Sequence, residues 1–270
     1  MFRPIRAENG VVYYTSDMLC HVKHGFATRI GGVSELPHTA SLNLAFGRGD
    51  ADETVLANVR LFADAVGFDA DRLVSVPQIH SDRIFTVTED MCGEGVVKKA
   101  LREGDGYVIP KKGLFAAIKT ADCVPVLLYD PEKEVCAAVH AGWRGTFSRI
   151  AERAVERMRE LGCEPASIRA AIGPAISGPC YEVGEEVFHA AINALGDRAA
   201  EICRTAPEKN GEKKYFCDLK AANRMILAEA GLLEEHIDVC TLCTHCETET
   251  FYSHRASGGL RGTMMSVIGM

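Results

Sequence analysis

Seven short apolar runs between residues 73 and 173 constrain the fold of this chain more than any other feature. Each run is too short for a helix and is bounded by polar or turn-forming residues, as is typical of strands. They are LVSV (73–76), RIFTVT (83–88), GYVI (106–109), LFAAI (114–118), VPVLLY (124–129), VCAAVH (135–140) and IRAAIG (168–173). A few helical patterns interrupt these runs without strict alternation, which predicts an α+β fold of layered mixed β-sheets flanked by helices.

Helical periodicity is clearest in residues 147–161, where apolar residues recur on one helix face. Thr146 is the expected N-cap of this helix, and Gly162 is its expected end. Similar patterns predict helices at 53–66, 184–195 and 218–230. The polar stretch 204–215 is expected to be an exposed loop. Because no repeat or long linker divides the chain, we expect residues 1–270 to form one domain.

Composition and charge narrow the class of protein. The 270 residues are 47% hydrophobic and 25% charged, which supports a large core and excludes disordered and fibrous classes. A net charge of −7 with both signs interspersed argues against a nucleic-acid partner, which would favour a basic face. The N-terminal sequence lacks an apolar signal segment, and no apolar run of about 18 residues could span a bilayer. We therefore expect a cytoplasmic protein without a membrane partner.

The cysteines pose a separate question. There are eleven, without framework spacing, and in a reducing compartment we interpret them as thiols or metal ligands rather than disulfides. Three of them, Cys240, Cys243 and Cys246, lie in CTLCTHC together with His245. This pattern is typical of a cluster or a zinc knuckle, but no cysteine follows residue 246 to complete a set of four ligands. We therefore favour free thiols near the active pocket over a structural metal there.

Three other segments each place a potential metal ligand at a strand end or turn: VPQIHSD with His80, TADCVP with Cys123, and AVHAGWRGT with His140. Any one of these residues alone is more typical of a hydrogen-bonded core or surface position. Together, two imidazoles and a thiolate are donors that zinc prefers, and three protein ligands leave a fourth position for water or substrate. An open fourth position is typical of a catalytic zinc centre, where the metal lowers the pKa of its bound water toward about 7.

The segment HAGWRGT is also a candidate anion site. Gly142 and Gly145 permit close backbone approach, and the start of the following helix offers unpaired N–H groups and partial positive charge. Arg144 can direct two hydrogen bonds onto a phosphate or carboxylate. A tight strand-to-helix connection with an exposed arginine and a packed Trp143 accounts for the same residues equally well.

These motifs occur in an order that resembles one known family. The matching pieces are HGFATRIGGVS (24–34), SLNL (41–44), GD (49–50), QIHS (78–81), GDGYV (104–108), TADCVPVLLYD (120–130), AVHAGWRGT (138–146), IGPAI (172–176), YEVG (181–184), DL (218–219) and FYSHR (251–255). The chain resembles the laccase-domain family, also called the YfiH or multicopper-polyphenol-oxidase-like family. The resemblance implies a fold similar to cytotoxic necrotising factor-like cysteine hydrolases. It also implies a Zn²⁺ site of His80, Cys123 and His140, with copper less favoured.

The same resemblance implies a function. The family activity is phosphorolysis of adenosine, inosine, guanosine and S-methyl-5′-thioadenosine, with adenosine deamination as a second reaction. The implied partners are purine nucleosides and phosphate, and the chain is expected to be a monomer or a small homo-oligomer. Phosphorolysis requires a phosphate held near the anomeric carbon and a stabilised leaving purine, whereas deamination requires an activated hydroxide near the base.

Further candidates for substrate contacts follow from the resemblance. Arg29 and Arg255 match family arginines that can face the pocket. Asn43 and Gln78 offer amides to a base or ribose, or serve as buried structural amides. Asp122 of TADC is a candidate for orienting a ligand histidine, although adjacent strand residues point to opposite faces. The segment SHRASGGLRGTMM departs from the arginine-rich stretch that commonly follows SHR, so the role of a second arginine there is not carried over to this chain.

Three other functions use the same residues. With Cys123 as nucleophile and His140 as base, the chain would be a cysteine hydrolase, for instance one that edits a cell-wall precursor. Copper-dependent polyphenol oxidation is disfavoured because multicopper centres need about ten paired histidines. The chain has nine histidines and no H-x-H pair. A zinc ion that only holds a binding module together predicts four ligands, and three are evident.

Overall fold

Two six-stranded sheets and a smaller three-stranded sheet organise the chain, which a computed structural model describes from residue 1 to residue 270. The strands are β1 (Phe2–Arg6), β2 (Val12–Ser16), β3 (Lys23–Ala27), β4 (Leu73–Val74), β5 (Ile84–Thr86), β6 (Gly106–Ile109), β7 (Phe115–Thr120), β8 (Val124–Asp130), β9 (Val135–Ala141), β10 (Arg169–Ile172), β11 (Glu182–Val183), β12 (Cys203–Lys209), β13 (Glu212–Cys217), β14 (Ile237–Val239) and β15 (Met264–Gly269). The helices are α1 (Asp52–Val66), α2 (Trp143–Phe147), α3 (Ile150–Glu160), α4 (Glu185–Leu195), α5 (Ala199–Ile202) and α6 (Leu219–Glu229).

The sheets are mixed in strand direction. The first has the order β1-β2-β3-β15-β7-β4, the second β14-β10-β8-β9-β6-β5, and the third β11-β13-β12. Most neighbours are antiparallel, while β4 and β7, β5 and β6, and β10 and β14 pair in parallel. The predicted α+β fold with layered mixed sheets is confirmed.

Alternation along the strands divides the core into layers. In β7, Ala116 and Ile118 belong to the apolar cluster between the two large sheets, while Phe115 and Ala117 belong to the cluster that includes α1. In β9, Cys136 and Ala138 lie in that central cluster, whereas the alternate residues join the cluster of α3, α4 and α6. Helices therefore cover the outer face of each large sheet, and His140 shares the inter-sheet face of β9 by its position in the alternation.

The predicted elements of the middle of the chain are confirmed. All seven apolar runs contain strands, β4 to β10, with ends displaced by a few residues. The predicted helices at 53–66, 184–195 and 218–230 correspond to α1, α4 and α6. Strands also lie outside the seven runs, since β1 to β3 and β15 supply four strands of the first sheet.

The helix predicted after Thr146 is divided in two. Arg149 adopts a left-handed backbone with φ of 58°, which separates α2 from α3. Thr146 therefore lies inside α2 and is not the N-cap of the longer helix. Its hydroxyl accepts a hydrogen bond from Asn223 Nδ2 at 3.0 Å, so it joins α2 to α6.

The stretch 204–215 is not a loop but most of the β12–β13 hairpin. Asn210 and Gly211 both have positive φ, at 53° and 77°, as a two-residue turn between paired strands requires. The pairing sets Cys203 opposite Cys217, and these two residues form a disulfide. The interpretation of all cysteines as thiols or ligands was therefore wrong for this pair, because strand register brought together residues whose spacing follows no disulfide framework.

None of the helices combines the length and the apolar character needed to cross a lipid bilayer.

Candidate functional site

Strand pairing between β8 and β9 brings two of the predicted ligands together. Cys123 immediately precedes β8, and His140 is the penultimate residue of β9. In the antiparallel register, Val124 pairs with Ala141, so Cys123 lies beside the end of β9. His80 reaches the same place from the segment between β4 and β5.

His80, Cys123 and His140 form one cluster. Their potential ligand atoms all lie within 4.8 Å of one another. The two imidazole rings have centroids 4.8 Å apart and planes inclined at 74°. His140 is buried, Cys123 is half-buried and His80 is exposed, so the cluster is reached from solvent on one side. Two imidazoles and a thiol at this separation make a possible metal site.

Asp105, the residue immediately before β6, organises the cluster. Its Oδ1 accepts a hydrogen bond from His140 Nδ1 at 2.8 Å and from the His80 backbone N–H at 3.1 Å. Its Oδ2 accepts from the backbone N–H of Ile79 at 3.2 Å and from both the N–H and the hydroxyl of Ser81 at 2.7 Å. These bonds hold His80 in a left-handed backbone, with φ of 56°, that is uncommon for a residue other than glycine.

The charges of the cluster shift its pKa values. Burial alone would raise the pKa of Asp105, but the hydrogen bonds from His140 and Ser81 lower it to about 2. Burial alone would lower the pKa of His140, but the neighbouring Cys123 and Asp105 raise it to about 9. Burial and the charge of His140 lower the pKa of His80. The fully buried Asp105 is thus ionised and fixes Nδ1 of His140, which leaves Nε2 for a ligand.

Gly142 lies directly against the side chains of His80 and Cys123. A Cβ atom at this position would lie 2.7 Å from His80 Nδ1 and 3.3 Å from Cys123 Sγ. The missing side chain therefore leaves room in which the imidazole and the thiol can approach each other. The donor set, the oriented His140 and this glycine fit a bound zinc ion.

The cluster opens into a cavity of about 930 Å³. Several cationic side chains that sequence reasoning did not single out line this cavity, among them Arg48, Lys119 and Arg261. Burial lowers the pKa of Lys119 to about 8, and burial together with the charge of Arg48 lowers that of Arg261 to about 10. The buried Nε of Arg261 has no hydrogen-bond partner. An anion in the cavity would satisfy this group and relieve the repulsion between the two guanidinium groups.

Arg144 and Thr146, the predicted anion site, do not line the cavity. Arg144 is exposed, and its guanidinium carbon lies 4.1 Å from the ring centroid of Trp143. Its charge contributes to the lowered pKa of His80, so it lies near the cluster without facing the cavity. Trp143 does contribute to the cavity wall.

Arg29 and Asn43 have contacts typical of structural residues. The guanidinium of Arg29 donates to the carbonyls of Ala40 and Thr248 at 2.8–2.9 Å. Asn43 is fully buried, donates to Asp50 Oδ2 at 2.9 Å, and accepts from a backbone N–H. Neither residue lines the cavity, so the structure does not bring them to the cluster.

Gln78 and Arg255 do line the cavity. Both ends of the Gln78 amide are bonded to the backbone of Lys119, which donates to Oε1 at 2.6 Å and accepts from Nε2 at 2.8 Å. The amide of Gln78 therefore holds the backbone of Lys119 in place at the cavity wall. Arg255 is exposed, donates to Glu182 O at 2.8 Å, and lies 5.2 Å from the ring centroid of Tyr181.

Asp122 does not orient a ligand histidine. Its Oδ1 accepts from Thr244 Oγ1 at 2.6 Å, and its Oδ2 accepts from the backbone N–H of Arg255 at 2.7 Å. With φ of 91°, its backbone departs from the strand, and the carboxylate turns to the loops instead. The orienting carboxylate is Asp105, which the sequence shows only as the acid of GDGYV.

Comparison with known proteins identifies the family. A model of the family described as multi-copper polyphenol oxidoreductase laccase matches residues 23–270. The chain belongs to this family. This chain is 40% identical to the purine nucleoside phosphorylase YlmD of Bacillus subtilis (strain 168). The match extends over 251 residues, which is 91% of this chain and 87% of that protein. The adenosine deaminase RL5 from an unknown prokaryotic organism is 35% identical over 235 residues, 86% of this chain and 88% of that protein.

Solved structures agree with the laccase-family assignment. The Bacillus licheniformis hypothetical protein YfiH matches with a TM-score of 0.89 at 37% identity and covers 96% of both chains. YlmD from Geobacillus stearothermophilus matches with a TM-score of 0.85 at 34% identity and covers 95% of both. The resemblance stated from the motifs is confirmed, and the named relatives are a phosphorylase and a deaminase of purine nucleosides.

Proposed function

We propose that this chain is a zinc-dependent purine nucleoside phosphorylase acting on adenosine, inosine, guanosine and S-methyl-5′-thioadenosine, with adenosine deamination as a side reaction. The observation that carries the proposal is the single cavity that joins the His80, Cys123 and His140 cluster to the cationic Arg48 and Arg261. The names of the relatives support the reaction class. A cytoplasmic location and a monomer or small homo-oligomer remain predictions.

Zinc is favoured over copper for the cluster. One thiolate and two imidazoles are a donor set that zinc takes in catalytic sites with an open position, whereas multicopper oxidation needs several histidine-rich centres. The family description refers to copper, but the structure gathers only two of the nine histidines into this cluster. Bound there, zinc would supply Lewis acidity beside the reacting nucleoside.

The residues of the chain then have distinct roles. Asp105 accepts a hydrogen bond from His140 Nδ1 and fixes the His80 segment, so both histidines are oriented before the metal binds. Arg48 and Arg261 bind the phosphate and hold one of its oxygens toward the anomeric carbon. In phosphorolysis, that oxygen bonds to C1′ while the bond from C1′ to the purine nitrogen breaks, and the departing purine takes up a proton. The two arginines replace Arg144 as the proposed phosphate contacts because they face the cavity.

The cysteine hydrolase remains a second candidate because of one specific arrangement. Asp105, His140 and Cys123 form a carboxylate, imidazole and thiol series of the kind that activates a nucleophilic cysteine. The ring of His80 lies next to that of His140. A metal ion held by both histidines would also bind the Cys123 thiolate, which could then not act as a nucleophile. The two functions therefore differ in their need for metal.

The deciding experiment is metal analysis of the purified protein combined with chromatography of adenosine incubated with and without phosphate. Adenine and ribose 1-phosphate that form only with phosphate support phosphorolysis, and inosine formed without phosphate supports deamination. We expect His80→Ala and Cys123→Ala to lose both turnover and the zinc held by this cluster. Unchanged adenosine at every zinc loading would contradict the proposal. Alkylation of Cys123 that is equally fast with and without a chelator would favour the hydrolase.

A further inference from the structure

A second group of possible metal ligands lies outside the site described above. Cys180 ends the short helical turn Gly178–Cys180 before β11, and Cys243 and Cys246 lie in the turn that follows β14. The three sulfur atoms lie within 4.8 Å of one another, and Sγ of Cys180 and Cys246 are 3.4 Å apart. This cys-triad, Cys180, Cys243 and Cys246, shares no residue with the first cluster.

The surroundings of the cys-triad favour one thiolate, at Cys243. The backbone N–H of Ser177 donates to Cys243 Sγ at 3.3 Å. Burial raises the pKa of Cys243, but hydrogen bonds from Ser177 and Cys246 outweigh burial and lower it to about 7. Burial, the contact with Cys246 and the charge of Cys243 raise the pKa of Cys180 to about 12. A second thiolate is therefore unfavourable beside the first unless a cation lies between them.

A buried lysine, Lys220, places a positive charge beside the segments that carry the cys-triad. Lys220 is 5% exposed, and its Nζ donates to Ser177 Oγ at 3.2 Å, to Cys240 O at 2.9 Å and to Leu242 O at 3.0 Å. Its ammonium group therefore joins the two segments that carry the cys-triad. Three thiolates with one divalent cation carry a net charge of −1, which this ammonium group balances. No residue of the first cluster makes use of Lys220.

We propose that Cys180, Cys243 and Cys246 bind a zinc ion, with the fourth position open to water. Three sulfur ligands suit a thiophilic ion better than a hard one. Solvent reaches the site because Cys246 is exposed and Cys180 is half-buried. The proposal does not depend on the reaction that the first site catalyses.

A metal at the cys-triad would fasten one wall of the cavity. Ile176 and Tyr181, on either side of the Ser177–Cys180 segment, both line the cavity. Thr244, between the two cysteines of the turn, donates to Asp122 Oδ1 at 2.6 Å, and Asp122 adjoins the ligand Cys123. Loss of the zinc ion at the cys-triad is therefore expected to make this wall of the cavity more mobile, while His80, Cys123 and His140 all remain available to the other zinc ion.

The test is zinc stoichiometry of the full-length protein, chelated under reducing conditions and reloaded with Zn²⁺. Wild type is expected to hold two zinc ions per chain, and Cys246→Ser one, because a two-sulfur remnant binds zinc far more weakly. His80→Ala is expected to retain the cys-triad ion. The matched control is Cys20→Ser, since Cys20 is exposed and belongs to neither group, and it should retain both ions.

Substitution of Co²⁺ for zinc gives an absorption signal that reports the sulfur ligands directly, so a loss of ligands can be told from a folding defect. Thiolate-to-cobalt charge-transfer absorption should fall by more than half in Cys246→Ser and by much less in Cys123→Ala, because three of the four sulfur ligands belong to the cys-triad. One zinc ion per chain in wild type that is lost in His80→Ala, or zinc retention by Cys246→Ser equal to that of wild type, would overturn the proposal. A Cys180–Cys246 disulfide in the reduced and reloaded protein would overturn it as well.

Discussion

Asp105 Oδ1 accepts hydrogen bonds from both histidines of the first cluster, from His140 Nδ1 at 2.8 Å and from the His80 backbone at 3.1 Å. One carboxylate therefore fixes a ring on β9 and the backbone of a loop that comes from a different part of the chain. The two ligands cannot move independently while this carboxylate is ionised. The geometry of the cluster depends on Asp105 although it is not one of the proposed ligands.

Asp105→Asn should lower zinc affinity by about 10- to 100-fold, the usual effect of losing a carboxylate behind a ligand histidine. The amide keeps only one acceptor oxygen and sets an NH2 donor against the backbone N–H groups of Ile79 and Ser81. The measurement is competition with a chromophoric chelator. Ser81→Ala, which removes only the hydroxyl bond, is the control and should show a much smaller change. Equal affinities for Asp105→Asn and wild type would show that Asp105 does not position the ligands.

Gly142→Ala should abolish zinc binding at the first cluster while the fold is retained. The added Cβ would lie 2.7 Å from His80 Nδ1, closer than packed atoms allow, so the imidazole must move away. The matched control is Gly184→Ala, because Gly184 also precedes a helix and its Cβ would meet no atom within 4 Å. Zinc content and circular dichroism of both variants test this. Full zinc at the first cluster in Gly142→Ala would contradict the cluster geometry.

Arg261→Gln should raise KM for phosphate by about tenfold or more, since a charged hydrogen bond contributes about 1.5–3 kcal/mol. Arg48→Gln should act in the same direction, and its exposure makes a folding defect unexpected. Arg144→Gln is the control, because Arg144 lies over Trp143 and outside the cavity lining. Steady-state kinetics at varied phosphate measure the effect, with zinc content unchanged throughout. A larger effect at Arg144 than at Arg261 would restore the anion site predicted from HAGWRGT.

Zinc binding to the metal-free protein should release protons in a pH-dependent manner. With its pKa raised to about 9, His140 is protonated at pH 7 and must lose that proton to become a ligand. His80, whose pKa is lowered, is neutral at pH 7 and adds none. The share from His140 should disappear as the pH rises through about 9. Calorimetry in buffers of different ionisation enthalpy counts the protons, and release that is constant across this range would show that His140 is already neutral.

The sequence supplied the ligand types but not all of their partners. His80, Cys123 and His140 were named from motifs, and the structure places them together, yet Asp105 was overlooked inside GDGYV. A buried acid that binds a distant histidine has no local periodicity or spacing that identifies it. Asp122 was named as a candidate because it adjoins a ligand in sequence, but its backbone turns the carboxylate to Thr244.

The cys-triad was missed for a similar reason. A further ligand for CTLCTHC was sought after residue 246, whereas the structure supplies Cys180 from a loop that precedes the motif by many residues. The hairpin of β12 and β13 was a different kind of miss. The Asn210–Gly211 pair is a strong turn signal, but the charged, exposed strands around it lack the apolar alternation by which strands are recognised.

The position of β15 in the first sheet has a consequence for synthesis of the chain. β15 lies between β3 and β7, and it is translated after every other strand of that sheet. Until it emerges from the ribosome, β3 and β7 each present an open edge, and the apolar faces of the half-sheets cannot close over the inter-sheet layer. Nascent chains that pause before residue 264 should therefore be the species most prone to aggregation and most dependent on chaperones.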